Sequence, residues 1–234
     1  MRASLRTLSL AAIAAAATLG AIALAPAGEE PKVIPPPAVD ASETGPTAVA
    51  MFAGGCFWGV QGVFQHTAGV INAVSGYSGG TVENPTYEQV GTGSTGHTEA
   101  VEITYDPAKV SYGQLLQIFY SVAHNPTQLN YQGPDHGTQY RSAIYTTSDE
   151  QAKAAAAYVA QLDAAGIWPK PIVTELAPAR AFYPAEDYHQ DYATLHPDSG
   201  YIAYYDLPKI AALKELFPQV WRDKPVLVFA ENAS

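Results

Sequence analysis

The sequence has almost no cysteine: Cys56 is the only one among 234 residues. A single thiol cannot close a disulfide within the chain, and it leaves a zinc site without its usual sulfur ligands. No glycine pattern typical of a dinucleotide or phosphate loop is present. Metal-ligand spacing is also absent among His66, His97, His124, His136 and His196. We therefore expect neither a bound metal nor another bound cofactor.

Basic residues are scarce as well, with 12 lysines and arginines against 22 acidic side chains and a formal net charge of −10. Two of the twelve, Arg2 and Arg6, precede an uncharged apolar run from Leu8 to Ala27. A chain without residues 1–27 would carry ten basic groups against the same 22 acids. This charge predicts a soluble protein that nucleic acid and anionic membrane surfaces repel.

The apolar run closes on two small-residue patterns, Ala23-Leu24-Ala25 and Ala25-Pro26-Ala27. A charged start, an apolar centre and an A-x-A site predict a secretory signal peptide over residues 1–27 and a periplasmic or extracellular protein. The alternative is an uncleaved membrane anchor, because the run is about long enough to span a bilayer. If the segment is cleaved, no stable membrane contact is expected.

The remaining chain is interpreted as a linker over 28–46, one folded domain over 47–222 and a tail over 223–234. The linker is predicted from its acidic residues and from Pro35-Pro36-Pro37. Strands are predicted at Thr47–Ala53, Val70–Tyr77, Thr98–Tyr105, Gln139–Thr146 and Ile172–Leu176, and helices at Cys56–Gln65, Ser111–Asn125, Ser148–Gly166 and Pro208–Phe217. This mixture lacks a regular βαβ rhythm and predicts an α+β domain with a mixed, partly antiparallel sheet flanked by helices.

Cys56 lies where a strand ends and a helix begins, directly after Gly54-Gly55. Unpaired N–H groups at a helix start carry partial positive charge, so they favour a thiolate there. A lone exported thiol is otherwise buried and inert, or paired between chains. Position alone leaves these alternatives open.

Seven sequence motifs in a fixed order decide among these alternatives for Cys56. They cover roughly residues 48–218. They are 54–59 around Cys56, Gly76-Tyr77-Ser78-Gly79-Gly80, 84–90, 96–101, 125–130, 133–142 and 185–192. Together they resemble the peptide methionine sulfoxide reductase A (MsrA) family, whose signature is Gly-Cys-Phe-Trp-Gly. Asn125 departs from the pattern, since family members usually carry aspartate there. The resemblance implies a ferredoxin-like fold and reduction of the S epimer of methionine sulfoxide, free or within peptides.

The resemblance also implies roles for particular residues. Cys56 would be the nucleophile and Glu99 the proton donor. Tyr87 and Tyr140 would bind the sulfoxide oxygen, Asp135 would fix the substrate through water, and Phe57 and Trp58 would form an apolar pocket for the substrate's methyl group. Phenols suit their task because they donate hydrogen bonds without charge, although most of the fifteen tyrosines must be packing residues.

Independent reasoning supports Glu99, which shares a strand face with Val101, Ile103 and Tyr105. Burial on that face would raise the carboxyl pKa and keep the group protonated. The alternative is a solvated glutamate at a strand end. Glu186, Asp187 and His189 either support the site from behind or form a structural hydrogen-bond network.

The reaction would leave Cys56 as a sulfenic acid. Since the chain contains no second cysteine, we expect an external thiol to reduce it: a thioredoxin-like or glutaredoxin-like domain, by way of a mixed disulfide, or a small thiol. Two rival functions remain at this point. One is a cysteine hydrolase in which a histidine activates Cys56, and the other is a non-catalytic module that binds oxidised methionine.

Overall fold

The computed structural model describes residues 31–229, so the predicted signal peptide lies outside the described residues. Eight strands are present: β1 (Ala48–Gly54), β2 (Val70–Ser78), β3 (Thr98–Tyr105), β4 (Tyr131–Gln132), β5 (Asp135–His136), β6 (Ser142–Thr146), β7 (Glu175–Pro178) and β8 (Tyr183–Pro184). The α-helices are α1 (Phe57–Gln65), α2 (Tyr87–Gly91), α3 (Tyr112–Ile118), α4 (Asp149–Ala164), α5 (Tyr192–Leu195) and α6 (Leu207–Leu216). Two π-helical segments, Phe119–Ala123 and Ile202–Asp206, continue α3 and lead into α6.

Six strands form one sheet in the order β7-β6-β1-β3-β2-β8. Every pair is antiparallel except β6 and β7, which run parallel. The predicted single α+β domain with a mixed sheet is confirmed. The apolar run of β1 occupies a central position, and there Phe52 stacks on Phe119 with a centroid distance of 4.8 Å. Burial of such rings is the main stabilising contribution to this core.

The predicted element boundaries are corrected in three places. The strand predicted at Ile172–Leu176 lies at Glu175–Pro178, where it pairs with β6. The strand predicted from Gln139 begins at Ser142, because residues 138–140 form a 3₁₀ turn. The helix predicted from Ser111 is capped as expected, with the Ser111 side chain accepting from Gln114 N, but it changes to π geometry after Ile118.

Residues 31–46 form neither helix nor strand, but they are not a free linker. Ile34 is 1% exposed, and the Tyr158 hydroxyl donates to the Pro35 carbonyl at 2.7 Å. The Asp40 carboxylate accepts from Gly113 N at the start of α3. The start of the predicted tail is also attached, since Val228 N and Phe229 N donate to the carboxylate of Asp191. Both segments therefore belong to the folded domain. Among the described residues no helix has the length and hydropathy to cross a membrane.

Candidate active site

Cys56 is the N-cap of α1, at the strand-to-helix turn that the sequence predicts. Gly55 enters this turn at φ +89°, a region that favours glycine. A Cβ at Gly55 would also lie only 2.5 Å from the Gln132 Cβ. The glycine therefore lets the Gln132 side chain cover the turn, and Cys56 is left 8% exposed.

Glu99 lies on β3 beside this turn and is 3% exposed. Its Oε2 accepts a hydrogen bond from Phe57 N, the amide directly after Cys56, at 3.0 Å. Burial raises the pKa of Glu99 to about 8, although the Phe57 N–H acts in the opposite direction. The alternative of a solvated strand-end glutamate is therefore wrong. At neutral pH Glu99 carries a proton that it can donate.

The predicted thiolate is not favoured by the surroundings of Cys56. Burial raises the pKa of the Cys56 thiol well above its ordinary value, and the nearby carboxylates of Glu99 and Asp206 add to the effect. The Trp58 N–H at the helix start and the Lys209 ammonium lower it, but by less. The helix start thus lowers the pKa of Cys56 as predicted, but burial and the two carboxylates raise that pKa by more. Cys56 and Glu99 are both neutral acids at pH 7.

Trp58 is held from three sides. Tyr192 stacks on its ring at a centroid distance of 4.0 Å and 12° between planes, while Tyr201 meets it edge-on at 5.9 Å. The indole Nε1 donates to His189 Nδ1 at 3.2 Å. Phe57, next to it, is 1% exposed and packs against the rings of Tyr77 and His189. The two aromatic side chains of the motif are thus rigidly placed.

Tyr87 and Tyr140 are half-buried and lie within electrostatic reach of Cys56 and Glu99. Burial, followed by the charge of Glu99, raises the pKa of Tyr87 to about 12 and raises that of Tyr140 further. Both phenols therefore stay neutral and able to donate. Glu186 positions the first of them, because its carboxylate accepts from Tyr87 N at 2.9 Å and from the Tyr77 hydroxyl at 2.8 Å.

Asp135 is half-buried, and its carboxylate accepts a hydrogen bond from the Tyr201 hydroxyl. Tyr201 and Tyr192 are site residues that the sequence analysis missed. Tyr192 ends the motif 185–192, but no role was assigned to it there. The tyrosine-rich stretch 201–205 gives no information on which ring reaches the site. The structure thus brings all seven predicted residues to one region of the domain and adds two aromatic neighbours.

The residues predicted behind the site divide into two groups. Glu186 and His189 contact site residues directly, through Tyr87 N and Trp58 Nε1. Asp187 is exposed. The contacts of Glu186 and His189 favour the interpretation that these two residues support the site from behind.

His124 is the histidine that shares a cavity with Cys56. Its Nδ1 bonds the Phe119 carbonyl at 3.1 Å, and its Nε2 bonds the Ser142 hydroxyl at 2.8 Å. Burial lowers the pKa of His124 to about 3. With both ring nitrogens occupied, this imidazole is not available as a base for Cys56, so His124 does not support the hydrolase mechanism.

The cavity that reaches Cys56 has a volume of about 740 Å³. Its lining includes Asp135, Trp168, Tyr201, Tyr204 and Lys209. Phe57, Trp58, Tyr87 and Tyr140 do not belong to its walls. Over residues 31–229 no group of three or more histidine, cysteine or acidic side chains could hold a metal ion.

Comparisons with known proteins agree with this site. The family model described as "Peptide methionine sulfoxide reductase" matches residues 48–221. The relative named "Peptide methionine sulfoxide reductase MsrA 2" from Mesorhizobium japonicum is 62% identical over 183 residues, which are 78% of this chain and 94% of the relative.

Two solved structures share the fold. Methionine sulfoxide reductase A of Corynebacterium diphtheriae is 41% identical, with a TM-score of 0.57, and the match covers 66% of this chain and 77% of that one. Reduced Mxr1 from Saccharomyces cerevisiae is 28% identical, with a TM-score of 0.60 and coverage of 69% and 92%. The chain belongs to the peptide methionine sulfoxide reductase A family.

Proposed function

We propose that the protein reduces methionine S-sulfoxide to methionine, with Cys56 as the nucleophile and Glu99 as the proton donor. The observation that carries this proposal is the buried pair itself. Glu99 bonds the amide next to Cys56, and its pKa of about 8 leaves it protonated at neutral pH. A sulfoxide oxygen accepts a proton as its bond to sulfur weakens, so a buried neutral acid beside the nucleophile suits this reaction.

One thiol and one sulfoxide supply all the atoms and electrons of the reaction. The Cys56 sulfur attacks the sulfoxide sulfur while Glu99 protonates the oxygen. The sulfur–oxygen bond of the substrate breaks, and the oxygen, as hydroxide or water, adds to the Cys56 sulfur. The sulfur–sulfur bond formed by the attack breaks in the same exchange, which leaves a sulfenic acid on Cys56 and releases the thioether of methionine. Cys56 is oxidised by two electrons and the substrate is reduced by two. The thiol proton restores the proton lost from Glu99.

The surrounding residues support specific binding roles. The neutral phenols of Tyr87 and Tyr140 are suited to donate to the sulfoxide oxygen together with Glu99. The rings of Phe57 and Trp58 offer an apolar surface for the methyl group, and Asp135 can orient the substrate through water. A fixed arrangement of apolar and donor groups around sulfur selects one epimer, which we propose is S.

We further propose that the preferred substrate is an oxidised methionine within a polypeptide. The cavity of about 740 Å³ at Cys56 has a size that accommodates ligands far larger than one amino acid. Its aromatic lining includes Tyr204, which is 53% exposed. Residues that flank the oxidised methionine would contact this lining. Oxidised proteins and peptides are therefore the substrates proposed ahead of free methionine sulfoxide.

The second half of the cycle needs a thiol from outside this chain, because Cys56 is its only cysteine. We propose a thioredoxin-like or glutaredoxin-like domain, with a small thiol as the alternative. The reductant thiol forms a mixed disulfide with Cys56 and releases water. A second thiol then frees Cys56 as a thiolate. Trapping tests this: a resolving-cysteine mutant of such a domain should accumulate as a disulfide at Cys56, and failure with every candidate domain would exclude it.

The proposed site of action is outside the cytoplasm, where the enzyme would repair oxidised exported proteins. The support is the predicted signal peptide over residues 1–27. Mass spectrometry of the protein purified from fractionated cells tests this proposal. A periplasmic or secreted chain that begins near residue 26 or 28 supports it. A full-length chain in the membrane fraction supports the anchor, and one in the cytoplasm contradicts both.

A single-turnover assay without reductant tests the reaction. Enzyme mixed with excess methionine sulfoxide peptide should form about one methionine per Cys56, because one thiol supplies two electrons once. A sulfenic acid should appear on Cys56 by mass spectrometry. The Cys56→Ser variant is the control and should form none. Binding without methionine formation would establish the binding module, and an acyl adduct with an ester would establish the hydrolase.

A further inference from the structure

A buried ion pair lies against the catalytic helix in a region that the proposed mechanism does not use. The Lys209 ammonium donates to Asp206 Oδ1 at 3.1 Å. The Asp206 side chain is fully buried, and that of Lys209 is 23% exposed. Asp206 ends the second π-helical segment, and Lys209 lies in the first turn of α6. The pair thus projects from the junction of these two elements.

Gly59 makes room for this pair. A Cβ on Gly59 would overlap Asp206 Oδ1 and would lie 3.1 Å from Lys209 Nζ. Gly59 is the last residue of the Gly-Cys-Phe-Trp-Gly motif, three positions after Cys56. Residues three apart at a helix start present neighbouring faces. The ion pair therefore occupies the surface of α1 next to the thiol, and the glycine is required for its position.

Lys209 also faces the reaction site. It lines the same cavity as Cys56. Within residues 31–229 the Lys209 ammonium makes one hydrogen bond, to Asp206. Two of its three N–H groups are therefore available to other acceptors. Although burial lowers the pKa of Lys209, the charges of Asp206 and Cys56 raise it by more. Lys209 is therefore charged throughout the neutral range.

We propose that Lys209, held over Gly59 by Asp206, is a positioning residue that stabilises the thiolate form of Cys56 during catalysis. The inference rests on the proposed function, which needs that thiolate twice. It attacks the sulfoxide, and it is the leaving group when a second reductant thiol attacks the mixed disulfide. A cation near the sulfur lowers the energy of both states.

The charged and titratable groups that face Cys56 explain why such a cation is needed. They are Glu99 from β3, Tyr87 from α2, Tyr140 from the turn before β6, Tyr201 directly before the second π-helical segment, Asp206 at the end of that segment, and Lys209 from α6. Lys209 is the only cation in this set, and it acts against burial and the carboxylates of Glu99 and Asp206. Loss of Lys209 would remove the charge that opposes them.

The pH dependence of Cys56 alkylation tests this proposal on the full chain. Iodoacetamide is neutral and reacts with the thiolate, and the single cysteine makes the product unambiguous. The midpoint of the profile reports thiolate formation, whereas altered access changes only the plateau. The Asp206→Asn side chain keeps an amide oxygen that can accept from the Lys209 ammonium. Comparison of this variant with the double variant Asp206→Asn/Lys209→Met therefore isolates the Lys209 charge without leaving an unpaired carboxylate.

The double variant should titrate at higher pH than Asp206→Asn, which corresponds to about three- to tenfold slower alkylation at pH 8. Lys209→Arg keeps the charge and should keep the midpoint of the unmodified protein. The matched control is Asp223→Asn/Lys214→Met, which removes the exposed Lys214–Asp223 pair of 3.5 Å at the far end of α6. Its midpoint should not move.

Equal midpoints for Asp206→Asn and the double variant would overturn the proposal and leave the pair a structural role. Thermal unfolding identifies variants that fail to fold. If the double variant does not fold, Lys209→Gln removes the Lys209 charge alone and should raise the midpoint, while Asp206→Asn reports the Asp206 charge. Alkylation needs no sulfoxide, so the proposed function is tested separately. A protein with the midpoint shift but no methionine formation would contradict that function alone.

Discussion

Glu99 and Phe57 are joined by a hydrogen bond of 3.0 Å from a backbone amide to a buried carboxyl group. The bond fixes the carboxyl beside the residue that follows Cys56, so the proton donor and the nucleophile share one rigid turn. It also explains why Glu99 keeps its position when protonated, because one oxygen remains available as an acceptor.

Glu99→Gln should slow methionine formation in the single-turnover assay by about 10²- to 10⁴-fold, the usual contribution of a general acid. The glutamine can still accept from Phe57 N, so substrate affinity should change by no more than a few-fold. Rapid-quench measurements at several substrate concentrations separate the two quantities. An equal loss in rate and affinity would show a structural role for Glu99 instead.

The raised pKa of Glu99 also predicts how stability depends on pH. The folded protein holds this proton up to about pH 8, whereas the unfolded chain releases it near the ordinary value of 4.5. The folded state therefore binds more protons in this window, and stability decreases as pH rises from about 4.5 to 8. The full effect is on the order of 5 kcal/mol.

Urea unfolding at pH 5 and pH 8.5 measures this effect. Glu99→Gln should lose much less stability between the two pH values than the unmodified protein, because its side chain cannot ionise. The exposed Glu83 offers a control, and Glu83→Gln should behave as the unmodified protein does. Parallel pH dependence in all three proteins would mean that Glu99 ionises without difficulty in the folded state.

The sequence predicted the parts of the site that depend on local structure. The glycines before Cys56 indicate the turn, and the alternation in β3 places Glu99 on the buried face. The direction of the Cys56 pKa shift was missed because it depends on burial and on Asp206, which is distant in sequence. The ring that stacks on Trp58 and the bond between Trp58 and His189 join residues more than a hundred positions apart. No local pattern specifies such contacts.

The course of residues 31–46 was missed for a related reason. Proline-rich, acidic composition disfavours helix and strand, and this segment forms neither. Composition does not reveal that Ile34 fills a buried position or that Asp40 accepts from the start of α3. Those contacts depend on surfaces formed by α3 and α4 after the chain has folded.

Gly55→Ala should destabilise the protein and disturb Cys56. A side chain at φ +89° is strained, and its Cβ would contact Gln132 at 2.5 Å. A loss of about 1–3 kcal/mol is expected from the backbone strain alone. Gly91→Ala is the matched control, since a Cβ there meets nothing within 4 Å. Urea unfolding of both variants checks the prediction, and equal stability would show that the turn can rearrange.

The proposed preference for polypeptides predicts that Tyr204 matters only for long substrates. Its ring lines the cavity at Cys56 and is 53% exposed, so Tyr204→Ala removes a contact surface with little effect on the core. The expected result is a several-fold increase in KM for a peptide that contains methionine sulfoxide, with kcat nearly unchanged. Loss of an interaction that is equal in the ground and transition states has this signature.

Free methionine sulfoxide should show no change in KM with the same variant, because it has no flanking residues to contact Tyr204. Ile71→Ala provides a control, since that side chain is 49% exposed but does not line the cavity. Steady-state assays with both substrates and all three proteins give the comparison. If Tyr204→Ala raised KM equally for both substrates, the cavity would contact the methionine itself and the proposed polypeptide preference would lose its support.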